Sequence, residues 1–117
     1  MRLPLHALAH GRSGDKGDVS NVSLIAWRAE AWETLAREVT EADVRALFRH
    51  LGATRVTRHD LPNLQAFNFV IEGTLGGGVN RSLGLDRHGK TLSYLLLEME
   101  IEADPALLPA GSPYAPG

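Results

Sequence analysis

The chain contains no cysteine, which excludes disulfides, thiolate zinc sites, iron–sulfur clusters and cysteine nucleophiles together. Any metal would need histidine or carboxylate ligands, and His6, His50, His59 and His88 are scattered singly, without ligand spacing. Long apolar runs are missing too. No stretch approaches the roughly 18 residues of a membrane span, and Leu3 to Ala9, interrupted by Pro4 and His6, does not read as a secretory leader. A cytoplasmic setting without a membrane partner is expected. There is no excess of positive charge: 12 Lys+Arg against 14 Asp+Glu give a net charge of −2, which offers no field to attract a polyphosphate and argues against nucleic acid.

What remains is ordinary globular material, 44% hydrophobic and 22% charged over 117 residues. At this size about two-thirds of the unfolded surface can be buried, so one core and one domain are expected. That domain is assigned to residues 1–104. Residues 105–117 carry Pro105, Pro109, Pro113 and Pro116 without any apolar period, and read as a loosely held terminus or a docking arm.

Leu3 to Ala9 and Val19 to Trp27 read as strands, the second with apolar residues on both alternating faces, as in a buried strand. From Ala31 the period lengthens. Trp32, Leu35, Ala36 and Val39 form one helical stripe, and Val44, Leu47, Phe48 and Leu51 another. Thr40 with Asp43 resembles a capping box that separates two helices, and Gly52 stops the second. Ala53 to His59 alternates modestly, Leu61-Pro62-Asn63 is a turn, and Phe67, Phe69 and Ile71 share a strand face opposite Asn68 and Glu72. Asp86 to Lys90 reads as a hairpin loop, followed by a strand in which Leu95, Leu97, Met99 and Ile101 alternate with wetter positions. Trp27, Trp32, Phe48, Phe67 and Phe69 are assigned to the core. The order implies an α+β fold, a mixed or largely antiparallel sheet with helices packed on one face and the other face free for a partner.

Two glycine-rich segments could carry chemistry. His10 to Asp18 holds Gly11, Gly14 and Gly17, which can turn backbone N–H groups toward one point, beside the cations Arg12 and Lys16. Ser13, Gly14 and Asp15 complete a candidate anion site there. The spacing is not that of a nucleotide P-loop, because Gly17 and Asp18 follow Lys16. The same residues also suit a plain turn. His10, Asp15 and Asp18 as cation ligands are opposed by the interleaved Arg12 and Lys16, so no metal is expected. A Ser13 nucleophile would need His10 as a base held by a third group. The second segment places Gly76, Gly77 and Gly78 in a row, with Asn80 and Arg81 as polar contacts, and implies close approach to a ligand or another chain. Asn68 could aim its amide at the same site, with Asn63 in the nearby turn.

Three strings in order, Arg12-Ser13-Gly14-Asp15-Lys16-Gly17-Asp18, Leu61-Pro62-Asn63-Leu64 with Ala66 and Asn68-Phe69, and Leu75-Gly76-Gly77-Gly78-Val79 with Ser82-Leu83 and Gly89-Lys90, resemble the small C-terminal domain of the acyclic terpene utilisation (AtuA) family. The resemblance runs from about Leu5 to Ile101. It implies a ferredoxin-like α+β topology, which the lack of cysteine keeps separate from any iron–sulfur cluster, and no cofactor is expected. Longer members carry a large N-terminal domain before this one. Its absence from these residues implies a two-chain arrangement, in which this chain is a small or accessory subunit of a hydratase- or lyase-like complex. The substrates implied are terpenoid or other branched carboxylic acids, as CoA thioesters. A stand-alone module that binds an acidic metabolite is the alternative reading, and a self-associating structural domain a third. Nothing in the sequence assigns a catalytic residue, and whether the chain is an enzyme stays open at this point.

Overall fold

Two β-hairpins and the helix pair between them make the frame of the computed structural model, which describes residues 1–16, 19–73 and 92–114. Strands β2 (Ala9–Lys16) and β3 (Val19–Ala26) form the first hairpin, and β4 (Arg55–Leu61) and β5 (Ala66–Glu72) the second. They join in one sheet of order β2-β3-β5-β4, every neighbouring pair antiparallel. Since β3 and β4 both run against β5, they are parallel to each other. The crossover between them, with β5 inserted, is a split β-α-β unit. A second, two-stranded sheet pairs β1 (Arg2–Pro4) with β6 (Glu100–Glu102), and its Leu3↔Ile101 pair is buried.

The crossover consists of α1 (Trp32–Glu38) and α2 (Glu41–Phe48). Thr40 caps α2 as its spacing implies. Its hydroxyl oxygen accepts from the Asp43 N–H at 3.1 Å and donates to the Asp43 carboxylate at 2.8 Å. Leu35 and Val39 from the first apolar stripe, and Val44 and Phe48 from the second, are fully buried against Val22, Leu24, Phe67, Phe69 and Ile71 of the sheet. Trp32 stacks on Phe67 with ring centroids 5.1 Å apart. The antiparallel α+β architecture with its helices on one face is therefore as expected.

Several local expectations are overturned. Leu3 to Ala9 is strand only at its two ends, Leu3 and Pro4 in β1 and Ala9 at the start of β2. Residues Leu5–Ala7 form a 3-10 turn, because Ala7, Leu8 and Ala9 are all buried in succession, which an alternating strand does not permit. The glycine-rich segment from His10 is itself strand as far as Lys16, not a loop. β3 is buried on one face only: Ser20, Val22, Leu24 and Ala26 are covered, whereas Val19 and Asn21 are exposed and Ser23 and Ile25 half-buried. Trp27 is 52% exposed rather than in the core. The strand expected from Leu95 to Ile101 is shortened to β6, because residues 92–97 are helical (α3) and bury Leu92 and Leu96, four apart.

The C-terminal segment is held by its own chain. Asp104 caps the 3-10 turn Pro105–Leu107, Leu108 is buried, and the Arg28 guanidinium donates to the Ala106 and Leu108 carbonyls at 3.0 and 3.2 Å. Arg28 also pairs with Glu30 at 3.1 Å. A hydrogen bond with its own backbone, then the hydrogen bond and charge of Arg28, hold the Glu30 carboxyl below its usual range.

Candidate functional site

The register of the sheet divides the candidate residues between its two faces. On the covered face, Gly11 lies opposite Leu24 and Ser13 opposite Val22. Gly11 is small for a reason: a Cβ there would stand 3.0 Å from the Ser23 carbonyl oxygen and 3.7 Å from Leu97 of α3, which packs over this strand. On the open face, consecutive rows run straight across all four strands. One row is His10, Ile25, Ala66 and Leu61; the next is Arg12, Ser23, Asn68 and His59; the third is Gly14, Asn21, Val70 and Thr57.

The middle row brings together two candidates that lie 56 positions apart, Arg12 and Asn68. It adds two that sequence reasoning missed. Ser23 and His59 carry no local motif; the period-2 positions of three strands, once their register is known, are the signal that finds them. Ser23 donates to the Asn68 side-chain oxygen at 3.4 Å. Arg12 is exposed, with no hydrogen bond or ion pair among the described residues. In the third row the Asn21 side-chain oxygen lies 3.1 Å from where a Gly14 Cβ would sit, so Gly14 is the space into which Asn21 leans. At the end of the first row His10 packs on Trp27, ring centroids 4.4 Å apart, and Trp27 donates to the His6 carbonyl at 3.3 Å.

Other candidates are not brought in. Ser13 sits half-buried on the covered face while His10 sits on the open one, so the pair cannot serve as nucleophile and base. Asp15 and Lys16 have strand backbones paired with Ser20 and Val19, and their side chains are not among the described groups. Asn63 is exposed in the 3-10 turn Pro62–Leu64, beyond the Leu61↔Ala66 pair and at the opposite end of the sheet from Lys16. Gly76, Gly77, Gly78, Asn80 and Arg81, with the expected hairpin at Asp86 to Lys90, lie outside the described residues. Among the described residues no group of three or more histidines and carboxylates is placed to hold a metal ion. Among the described residues no helix is long and apolar enough to cross a membrane.

The family model of the AtuA ferredoxin-like domain matches residues 3–102. The chain belongs to that family. Comparison with curated proteins and with solved structures finds no match. The AtuA ferredoxin-like match takes in both sheets, the crossover helices and the whole open face, and ends at β6, ahead of the C-terminal segment.

Proposed function

We propose that the chain is a small accessory subunit that works with a larger AtuA-family chain in the cytoplasmic breakdown of terpenoid or other branched carboxylic acids, as their CoA thioesters, through hydratase- or lyase-like chemistry. One observation carries the reading: three adjoining rows of the open sheet face hold Arg12, Ser23, Asn68, His59, Asn21 and Thr57 with no carboxylate among them. Such a face contributes hydrogen-bond donors to a site that a second chain would close. It does not supply an acid–base pair of its own, because no carboxylate stands beside His10 or His59 in these rows to orient or charge an imidazole. The division of labour that follows has this chain binding and positioning while the larger chain performs the proton transfers.

Co-expression with a large AtuA-family chain, followed by size-exclusion chromatography with light scattering, tests the reading. A stable hetero-oligomer in which Trp27 fluorescence changes on assembly is expected. Separate elution of the two chains at micromolar concentration overturns the subunit assignment. Turnover of an acyl-CoA by the small chain alone overturns the division of labour.

A further inference from the structure

Four of the six large hydrophobic side chains exposed among the described residues gather on or beside the open sheet face. Val19 and Leu61 stand on it, 36% and 38% exposed, Trp27 extends it past the end of β3, and Leu64 lies in the turn from β4 to β5. Ile25 and Val70 are half-buried between them. Apolar side chains collected on one side of a small chain mark a protein contact. The described charges there are few: Arg12, and Arg55, which pairs with Glu72 at 3.8 Å. Tryptophan and arginine with few carboxylates is the composition of an interface centre.

Charge and area decide what covers it. A second copy would bring a face of the same sign, its described acid, Glu72, already taken by Arg55, so nothing would answer Arg12. A different chain with a carboxylate at that point does. Four strands about 4.8 Å apart, with seven residues at about 3.4 Å each, give the face roughly 450 Å² in projection. A stable interface covers about 800 Å² on each partner. The contact therefore has to run past the sheet. The neighbouring surface that continues it is the groove of His6, Pro113 and Tyr114, because Trp27 lines that groove and also packs on His10 of the open face.

We propose that the larger AtuA-family chain docks across the open sheet face and on into the groove between Trp27 and Tyr114. Trp27 and Ile25 form the buried centre of the contact, Leu61 and Val19 lie towards its edges, and Arg12 meets a carboxylate of the partner at the rim. The inference rests on the subunit reading for the existence of that chain and adds where it binds. The C-terminal segment then serves the contact as well as the fold, since it carries Tyr114.

The test measures binding of the full chain to a large AtuA-family chain by biolayer interferometry, with Leu61→Arg, Val19→Arg, Arg12→Glu and Tyr114→Ala compared with wild type. Tyr94→Arg on α3, an exposed apolar side chain on the other side of the sheet, is the control, and circular dichroism checks that each variant folds. Leu61→Arg and Arg12→Glu are expected to weaken binding about tenfold or more, Val19→Arg and Tyr114→Ala about fivefold, and Tyr94→Arg not at all. Added salt weakens the wild-type complex but strengthens that of Arg12→Glu, because it screens an attraction in one and a repulsion in the other. Wild-type affinity in folded Leu61→Arg and Arg12→Glu overturns the docking face and leaves the subunit reading standing. No binding by wild type at micromolar concentration sinks the subunit reading, and this inference with it. A wild-type homodimer by light scattering that Leu61→Arg and Val19→Arg reduce to monomer gives the face to a second copy and overturns the choice of partner.

Discussion

One guanidinium ties together three parts of the chain at Arg58. It donates to the Ala36 and Val39 carbonyls at the end of α1, at 2.7 and 3.0 Å, and forks onto both oxygens of Asp60 at 2.8 and 3.3 Å. It also lies 5.0 Å over the ring of Phe67, while its backbone N–H is taken by Glu41 of α2 at 2.7 Å. A cation at a helix C-terminus satisfies carbonyls that have no partner within the helix. The Arg58 side chain is only 20% exposed, so truncating it leaves those carbonyls poorly solvated, whereas Asp60 stays in contact with water. Arg58→Ala is expected to lower unfolding stability by about 2–4 kcal/mol in urea titrations. Arg58→Lys should recover only part of this, because an ammonium cannot reproduce the planar fork. A loss below about 0.5 kcal/mol, the range of ordinary surface changes, would remove Arg58 from the frame. Nothing in the sequence singles out this residue. Its partners are backbone carbonyls 19 and 22 positions away, and only the packing of β4 against α1 brings them near.

Among the elements, legibility followed the number of independent signals at each boundary. The helix pair was readable because two apolar stripes and the Thr40 cap agree; α2 itself ends at Phe48, and Gly52, with a left-handed φ of +98°, closes the 3-10 turn Arg49–Leu51 that continues it. The segment from Leu92 was not. Leu95, Leu96 and Leu97 form an unbroken apolar run that satisfies periods of 2 and 3.6 alike, and the pair that decides, Leu92 with Leu96, reveals itself only through burial. In the candidate site the sequence marked Arg12 and Asn68 but not the row that joins them, since cross-strand register depends on how two hairpins dock. The Gly52 cap also explains the exit of β5. Gly73 has φ +99°, and a Cβ on it would stand 2.6 Å from the Gly52 carbonyl oxygen, so the two left-handed glycines close on each other back to back. Gly73→Ala therefore meets both a backbone clash and a disfavoured φ, and is expected to cost about 2 kcal/mol or more. Gly111 has φ +78° but nothing within 4 Å of its would-be Cβ, and Gly111→Ala should cost only about 1 kcal/mol. Equal losses in thermal or urea unfolding would show that the close approach at Gly73 does not matter.

At the scale of the whole molecule, the family's span and the physical fold do not end together. The AtuA ferredoxin-like match stops at residue 102, yet the segment beyond it joins the core: Leu108 is only 6% exposed, and Leu107 and Tyr114 pack against the same cluster. Tyr114 meets His6 edge-on, ring centroids 5.3 Å apart, and with Pro109, Pro113 and Trp27 lines a groove of about 350 Å³. Removing residues 105–117 would uncover the surface under Leu108 and free Arg28 from two carbonyls. Burying one leucine contributes about 1.5–3 kcal/mol, and the released hydrogen bonds add to the loss. A chain of residues 1–104 is therefore expected to keep its sheet by circular dichroism but unfold at a lower urea concentration, less stable by about 2–4 kcal/mol. The emission of Trp27 should shift to longer wavelength as Pro109, Pro113 and Tyr114 leave the groove, while Trp32, stacked on Phe67 and not part of the groove lining, should change less. An unchanged midpoint together with unchanged emission would mean that the segment only rests on the surface, and that the fold ends where the family match does.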